Sequence, residues 1–594
     1  MTSRGAAVLP VVATVLGLGL AACGGPTGPV GPGAAAVPRS ADPRPAPAPS
    51  AEGPAKAREI AMPAPVAAAA GRVSTLAPTR TASFAMLGVT WDRGADDENV
   101  RAEVRVRRDA GWSAWERLEV DTDETEGGRA GTEPWWVDSA DEVSARVTSS
   151  DGTAPSGIKV VTVDPGDDSA DTATATPAFY STGTGSAVVT VADGKPTYTA
   201  RPSIITRSSW KAKKSNDCDD APKYPRYGTT TEGVVLHHTA GANSYSRSKS
   251  ASIVRGIQSF HMKGRGWCDI AYNFIVDKYG QTFMGRDGGA DRQVRGSHAG
   301  NSEVNEQTMG VALMGNLSKA RPSTKMKNAT VRLVGWRMGT TYLAAQGTYK
   351  IGGKKLHRIA GHRNVVSTAC PGKYGYAWLK AKGGLRDRVA AYTSKYSSAI
   401  KTASKKLTVS QKGVVVIGET NGATTRRMVW SKLDFYWKQG VGAFPVAGTA
   451  RSPYDKAGGP TGVLGYPTSS MTSSATIPGI AAQRFERGGI WRVATTSSST
   501  SYVITGATYD AYVANGEAEG RLGAPTSNVV RTGDTVRTTF AHGSIEVTDG
   551  QEPVVVVDGQ PQRAPQPSPQ PSQQPSETPA PTMSEPTPGP TDAA

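Results

Sequence analysis

The stretch Val234-Val235-Leu236-His237-His238-Thr239-Ala240-Gly241 is an apolar run that ends in two adjacent histidines. A short apolar run bounded by a glycine predicts a buried strand. Side chains alternate between the two faces of a strand, so His237 and His238 point in opposite directions and at most one of them binds a metal ion. Spacing alone does not choose between them.

Strand and helix patterns alternate on both sides of this run, through residues 201–400. Residues 272–276 and 310–315 have strand character, whereas 250–262 and 328–346 place apolar residues at helical spacing. Such alternation predicts a central α/β domain with a mixed sheet flanked by helices.

Two further segments of this domain carry side chains that bind zinc. His362 follows Gly361, and Cys370 precedes Pro371 eight residues later. One strand histidine, His362 and Cys370 would make three protein ligands and leave the fourth tetrahedral position to water, as in catalytic zinc sites. Zinc lowers the pKa of its bound water to about 7 and so supplies hydroxide. The ordinary alternative for a histidine at a strand end is a hydrogen-bonded core residue.

Seven sequence blocks extend this pattern over residues 201–385. They are ITRSSW (205–210), HHTAG (237–241), GWCDIAYNFIV (266–276), GR (285–286), GSHAGN (296–301), MGVALMGN (309–316), and GHR (361–363) with CPG (370–372). In kind and order they resemble the type-2 N-acetylmuramoyl-L-alanine amidases, which share their fold with peptidoglycan recognition proteins. The resemblance implies a zinc hydrolase that cuts the amide between N-acetylmuramic acid and L-alanine in peptidoglycan.

The resemblance also assigns roles to individual residues. It implies His237, and not His238, as the zinc ligand beside His362 and Cys370. Recognition proteins without activity typically lose the cysteine, so Cys370 implies an active enzyme. Tyr272 matches the tyrosine that faces the metal-bound water, where a phenol can donate a hydrogen bond to the developing oxyanion.

Four more residues are expected at the site through the same resemblance. Thr368 stands where phage relatives have lysine and recognition-type amidases have threonine, which leaves open the group that protonates the departing amine. His298, Arg207 and Trp210 match the wall of the cleft and are expected to contact substrate. A structural role is the alternative for His298.

The four cysteines fit an exported protein. Residues 1–23 have the pattern of an export signal, and Leu-Ala-Ala-Cys-Gly at 20–24 resembles a lipobox. We therefore expect a lipid at Cys23 and attachment to the outer face of the cytoplasmic membrane; secretion after cleavage near Ala22 is the alternative. If Cys370 binds the metal, Cys218 and Cys268 remain as a disulfide pair.

The flanking regions read as tethers and binding modules. Residues 24–80 predict a disordered tether and residues 166–200 a linker, because both stretches are rich in small or polar residues. Apolar and polar residues alternate in residues 81–165, which predicts a β-sandwich.

After residue 400 the chain repeats itself. Tyr454 and Leu464 recur as Tyr512 and Leu522, each at an offset of 58 residues (512 − 454 = 58; 522 − 464 = 58). The unit resembles the LGFP repeats of wall-associated proteins, which we assign to residues 401–550, and 551–594 predict a disordered Pro-rich tail.

The net charge of +16 favours acidic partners. We found no nucleic-acid motif, so the expected partners are peptidoglycan, the membrane through the lipid at Cys23, and further envelope polymers through the repeats. Two other functions remain open at this stage: a peptidoglycan-binding protein without useful catalysis, and a different zinc amide hydrolase such as a peptidase.

Overall fold

The computed structural model describes residues 55–562, except 70, 95–98, 110, 122–125, 151–153, 167–198, 216–223, 421 and 423. The export signal with Cys23, Cys218, nearly all of the expected linker and the tail from residue 563 lie outside the described residues. Within the described part, no helix is both long and apolar enough to cross a membrane.

The first folded region is a β domain of ten strands. They are β1 (Lys56–Ala61), β2 (Val66–Ala68), β3 (Gly71–Trp91), β4 (Val100–Arg108), β5 (Gly111–Trp112), β6 (Glu116–Leu118), β7 (Val120–Asp121), β8 (Ala130–Thr132), β9 (Trp135–Ser149) and β10 (Lys159–Asp164). Hydrogen bonds join all ten into one sheet. The period-two pattern of β4 explains its place, because Val100, Ala102, Val104 and Val106 all face the core.

The expected tether through residue 80 is wrong from residue 56 onward. β1 pairs antiparallel with β10, from Lys56 opposite Asp164 to Ala61 opposite Lys159, and β3 already begins at Gly71. The composition of this stretch is poor in large apolar residues because most of its side chains are exposed or half-buried. Its pairing with a buried strand, which composition does not show, gives it structure.

The central α/β domain has seven strands and five α-helices. The strands are β11 (Gly233–His238), β12 (Phe274–Val276), β13 (Thr282–Met284), β14 (Thr308–Leu313), β15 (Thr348–Ile351), β16 (Lys354–His357) and β17 (Ile359–Gly361). The helices are α1 (Ser250–Ser259), α2 (Ser302–Gln307), α3 (Thr324–Thr340), α4 (Lys373–Lys380) and α5 (Leu385–Thr393), and a π-helical turn (Phe260–Gly264) extends α1.

The main sheet has the order β13-β12-β14-β11-β17, and β15 pairs with β16 separately. β11 runs parallel to β14 and β17, and β12 parallel to β14, whereas β13 is antiparallel. The mixed sheet is thus as predicted. All six residues of β11 are buried, since helices cover the sheet. Parallel strands place their carboxyl ends at one edge, which brings His237 at the end of β11 near His362, the residue after β17.

The β domain packs directly on the central domain. Met86 and Val161 lie in one apolar cluster with Ile257 and Phe260. The packing is close, because a Cβ on Gly88 would lie 2.5 Å from the Phe260 ring. The two domains therefore share a buried apolar contact.

The repeat region follows. Its elements are α6 (Ala399–Ser404), α7 (Val409–Lys412), β18 (Val415–Ile417), β19 (Thr425–Trp430), β20 (Leu433–Lys438), β21 (Gly442–Ala447), α8 (Arg451–Lys456), β22 (Thr472–Ser473), β23 (Ile480–Phe485), β24 (Gly488–Ala494), β25 (Ser499–Thr505), α9 (Gly506–Ala514), β26 (Val530–Thr532), β27 (Thr535–Phe540), β28 (Gly543–Thr548), β29 (Val554–Val557) and β30 (Gln560–Gln562). They form three antiparallel sheets in chain order. The predicted start of the disordered tail, residue 551, is wrong, because β29 and β30 follow it and complete the third sheet.

The repeat found in the sequence is also a repeat of contacts. The Tyr454 hydroxyl donates to the Gly465 carbonyl at 2.8 Å, and the Tyr512 hydroxyl donates to the Gly523 carbonyl at 2.8 Å. Each ring also packs on a phenylalanine of its own unit, Tyr454 on Phe485 with ring centroids 4.9 Å apart. The two units are therefore built in the same way.

Candidate metal centre

Three potential metal ligands meet at the carboxyl edge of the parallel strands. His237, His362 and Cys370 each offer one ligand atom, all three within 4.8 Å of one another, and all three residues are buried. Cys370 Sγ lies 3.6 Å from His237 Nδ1. β11 supplies the first residue, the turn after β17 the second, and the loop before α4 the third.

His238 points away from this group, as strand alternation predicts. Its Nδ1 accepts a hydrogen bond from the Leu317 backbone N–H at 3.0 Å. Nε2 therefore carries the proton and donates it to Glu119, 3.1 Å away. Only the backbone N–H of His238 reaches the centre, where it donates to Cys370 Sγ at 3.4 Å.

The three side chains fit a zinc ion. Two imidazoles and one thiolate are a catalytic donor set, and ligands of one tetrahedral zinc lie about 3.5 Å apart at ordinary zinc–ligand distances. Burial and the neighbouring His362 lower the pKa of His237, which keeps its imidazole neutral and able to bind a metal. Burial, followed by Glu119, raises the pKa of Cys370, and a bound cation would reverse that preference.

His298 lies beside the centre but contacts a ligand residue. Its Nδ1 is 3.1 Å from His237 Nε2, and its own backbone N–H donates to Asn305 Oδ1 at 2.7 Å. When one ring nitrogen of a histidine binds a metal, a hydrogen bond at its other ring nitrogen fixes the orientation of the ring. The structure thus places His298 in contact with His237, which fits the structural role that was the alternative for this residue.

Tyr272 lies at the centre as predicted, with its ring centroid 5.5 Å from that of His237. Its hydroxyl donates to Glu133 Oε1 at 2.8 Å. Burial and then the Glu133 carboxylate raise the pKa of Tyr272, so the phenol keeps its proton. The phenol therefore remains a hydrogen-bond donor at all ordinary pH values, and in this structure Glu133 accepts its hydrogen bond.

Two residues expected to contact substrate make their contacts within the core. Trp210 is fully buried and donates from Nε1 to the Met284 carbonyl at 2.7 Å. Arg207 pairs with the buried Asp269 at 2.9 Å and packs over Trp210. In this arrangement both side chains contact other residues of the central domain.

Thr368 has a local role in the structure. Its hydroxyl oxygen accepts a hydrogen bond from the Cys370 backbone N–H at 3.2 Å, which shapes the loop that presents the thiol. Cys370 is the free cysteine among the described residues. Cys268 is disulfide-bonded, and its expected partner Cys218 lies outside the described residues.

The sequence analysis missed a group of carboxylates that belongs to the β domain. They reach the central domain beside the metal centre and are Glu116, Glu119, Asp121, Glu126 and Glu133. A signal was present: these acids stand close together in a chain whose net charge is +16. The sequence analysis used only the alternating strand pattern of this domain.

Family models match three parts of the chain. The N-acetylmuramoyl-L-alanine amidase model, Amidase_2, matches residues 227–373. The model described as Rv3811 N-terminal galactose-binding domain-like matches residues 39–193, and the LGFP repeat model matches 464–520. The chain is thus a multidomain protein with a galactose-binding-like domain, an amidase domain and an LGFP region.

Individual relatives resemble the central domain. Peptidoglycan recognition protein 1 of Rattus norvegicus is 31% identical over 179 residues, which cover 30% of this chain and 86% of the relative. Peptidoglycan-recognition protein SC2 of Drosophila simulans is 30% identical over 171 residues, 28% of this chain and 80% of the relative.

Among solved structures, human PGRP-IBETAC in complex with glycosamyl muramyl pentapeptide is 26% identical, with 30% of this chain and 96% of that chain covered and a TM-score of 0.25. The sequence relatives and the family models support a peptidoglycan-binding or amidase function. On this evidence, the chain belongs to the family of type-2 amidases and peptidoglycan recognition proteins and carries LGFP repeats.

Proposed function

We propose that this protein is a zinc-dependent N-acetylmuramoyl-L-alanine amidase, which hydrolyses the amide between N-acetylmuramic acid and L-alanine in peptidoglycan. The observation that carries the proposal is the meeting of His237, His362 and Cys370 within 4.8 Å. Three protein donors leave one coordination position for water. Catalytic zinc sites have such an open position, whereas structural zinc sites use four protein ligands.

The chain's own residues would divide the work. His237, His362 and Cys370 would hold the zinc ion, which when bound supplies hydroxide near neutral pH and polarises a carbonyl. His298 fixes the ring of His237 through the 3.1 Å contact. The Tyr272 hydroxyl would donate a hydrogen bond to the oxyanion that develops on the attacked carbonyl.

We further propose that the protein is exported and attached to the outer face of the cytoplasmic membrane through a lipid on Cys23. The repeats would add contacts with other envelope polymers. A Cys23→Ser variant tests the attachment: it should move from the membrane fraction to the medium. Equal amounts of wild type and variant in the membrane fraction would contradict it.

The amidase proposal is tested on the full chain with purified peptidoglycan, before and after removal of zinc by a chelator. We expect stem peptides that begin with L-alanine, detected by mass spectrometry, lost on chelation and restored by zinc. His362→Ala should lose both zinc and activity, whereas His357→Ala, at an exposed position of β16, should keep both. Intact muropeptides from a zinc-loaded protein would favour a binding function without turnover.

A further inference from the structure

An acidic part of the β domain, residues 116–121 and 126–133 and called here the acidic segment, lies against the amidase domain at the metal centre. Its residues Val120 and Asp121 form β7, which pairs with β8 so that Val120 lies opposite Thr132. The backbone N–H of Glu133 donates to the Glu119 carbonyl at 2.8 Å. This pairing holds Glu119, Asp121 and Glu133 at one end of a β-ribbon.

The carboxylates of the acidic segment bind polar groups around the metal centre. Asp121 Oδ2 lies 2.9 Å from Arg265 Nη1, and both side chains are nearly excluded from water, at 9% and 1% exposure. Glu126 pairs with Arg286, which is 2% exposed. These are buried ion pairs, which are strongly sensitive to the loss of one partner.

Two further carboxylates contact residues at or next to the centre. Glu119 accepts from His238, the neighbour of the ligand residue His237. Glu133 accepts from the Tyr272 hydroxyl, the group that the proposed reaction needs for the substrate carbonyl. The acidic segment therefore occupies the donor that a substrate would use.

Backbone contacts fix the same segment. Arg129 N–H donates to the Arg265 carbonyl at 2.9 Å, and Arg265 Nε donates to the Arg129 carbonyl at 2.7 Å. Gly128 approaches so closely that a Cβ there would lie 2.0 Å from the Arg265 carbonyl oxygen. The acidic segment and the amidase domain are therefore complementary in shape as well as in charge.

The metal centre is closed in this arrangement. The exposed fractions of His237, Tyr272, His362 and Cys370 are 1%, 3%, 4% and 5%. Peptidoglycan is a polymer whose glycan and peptide must both lie against the site, so these residues have to become exposed before it binds. The closed arrangement also carries a cost, because Glu133 Oε2 is buried without a hydrogen-bond partner among the described residues.

We propose that the acidic segment is an autoinhibitory cover of the amidase site, and that the enzyme acts on peptidoglycan only after the segment leaves the cleft. The proposal rests on the proposed amidase function, since a cover inhibits only where there is activity. Release exchanges the Tyr272–Glu133 bond for one to the substrate and returns the carboxylates and arginines to water.

Two variants of the full chain test the cover. The first combines Glu119→Gln, Asp121→Asn and Glu126→Gln, which removes the charges that pair with Arg265 and Arg286 and the carboxylate that accepts from His238, while Glu133 stays. The second, Gly128→Ala, changes no charge and places a methyl group against the Arg265 carbonyl. Glu103→Gln is the matched control, because Glu103 pairs with Arg146 inside the β domain. Far-UV circular dichroism checks that each variant is folded.

Two readouts separate this proposal from the amidase proposal. The first is the rate at which a maleimide alkylates Cys370 in the zinc-stripped protein, and the second is the release of stem peptides by the zinc-loaded protein. We expect both rates to rise at least about tenfold in both variants, and neither in the control. A rise in Gly128→Ala cannot come from a change in the charges around the thiol.

The other outcomes are equally informative. Faster alkylation without stem peptides from any protein would support the cover and contradict the amidase function. Unchanged alkylation in both folded variants would overturn the cover. A fall in stem-peptide release would also overturn it, because the acidic segment would then belong to the catalytic apparatus.

Discussion

Tyr512 in the repeat region and Tyr272 at the metal centre are both buried tyrosines whose hydroxyls donate at 2.8 Å. They differ in the acceptor. Tyr512 donates to the Gly523 carbonyl, which lies within its own unit, whereas Tyr272 donates to a carboxylate of another domain. The repeat tyrosine is satisfied by its own fold and has no reason to change partner. The tyrosine of the centre depends on the docking of the β domain, and its partner can be exchanged.

The comparison also separates stability from activity. A buried hydroxyl with a local acceptor contributes to folding, and its loss is felt as lost stability. A hydroxyl that exchanges its acceptor for a substrate contributes to the activity, because it then donates its hydrogen bond to the substrate. Single substitutions at matched positions can therefore test whether the two tyrosines have different roles.

The largest effect is expected for Tyr272→Phe. The change removes the donor to the oxyanion and should lower kcat on peptidoglycan by about 100-fold, the effect of losing one such donor. Zinc content should stay stoichiometric, because Tyr272 is not among the three metal ligands. Turnover in the chelated and zinc-restored protein gives the measurement, and wild-type turnover would show that Tyr272 takes no part in the chemistry.

Tyr512→Phe should have the opposite profile. Loss of the bond to the Gly523 carbonyl should lower the stability of the repeat region by about 1–2 kcal/mol. Turnover should remain that of the wild type. Thermal unfolding followed by calorimetry measures the first effect, and a loss of activity without a loss of stability would contradict the comparison.

A smaller effect is expected for Glu133→Gln, which keeps an oxygen acceptor for Tyr272. Burial and then the neighbouring Asp121 raise the pKa of Glu133, so between the pKa of the unfolded chain and that of the folded chain the folded protein binds a proton here that the unfolded chain has lost. Stability from this proton is present at low pH and falls as the pH rises through the raised pKa. The glutamine variant should therefore unfold roughly 2–4 °C higher at pH 7, with a flatter pH dependence. An unchanged melting profile from pH 4 to pH 8 would show that Glu133 is not protonated.

The smallest effect is expected for Glu103→Gln. Glu103 and Arg146 are 2.6 Å apart, but their side chains are 29% and 43% exposed. Exposed pairs contribute less than about 1 kcal/mol, so the unfolding midpoint should barely move. A large loss of stability here would mean that the acids of the β domain act mainly in folding, whichever side of the domain they occupy.

Local patterns in the sequence were enough to predict much of this structure. The apolar run of β11, the alternation of β4 and the 58-residue offset each predicted an element that the structure contains. The mixed sheet followed from alternating strand and helix patterns. The separation of His237 from His238 followed from the two faces of a strand, and the structure brings His362 and Cys370 to the expected histidine.

Pairing between distant segments could not be read in the same way. Residues 56–61 have little apolar character, and only their partner β10 makes them a strand. Trp210 and Arg207 looked available because the sequence does not show which polar atoms are already bonded in the core. The acids of the β domain were missed because their meaning depends on docking against another domain, about 140 residues away along the chain.

The repeated Tyr–Gly bond has a consequence for how such a protein can lengthen. Because each unit satisfies its own buried tyrosine hydroxyl, a whole unit can be gained or lost without leaving that hydroxyl unpaired. A cut within a unit would separate the tyrosine from its carbonyl. The reach of this region can therefore change during evolution in steps of one unit, by duplication or loss of the gene segment that encodes it, while the amidase domain stays as it is.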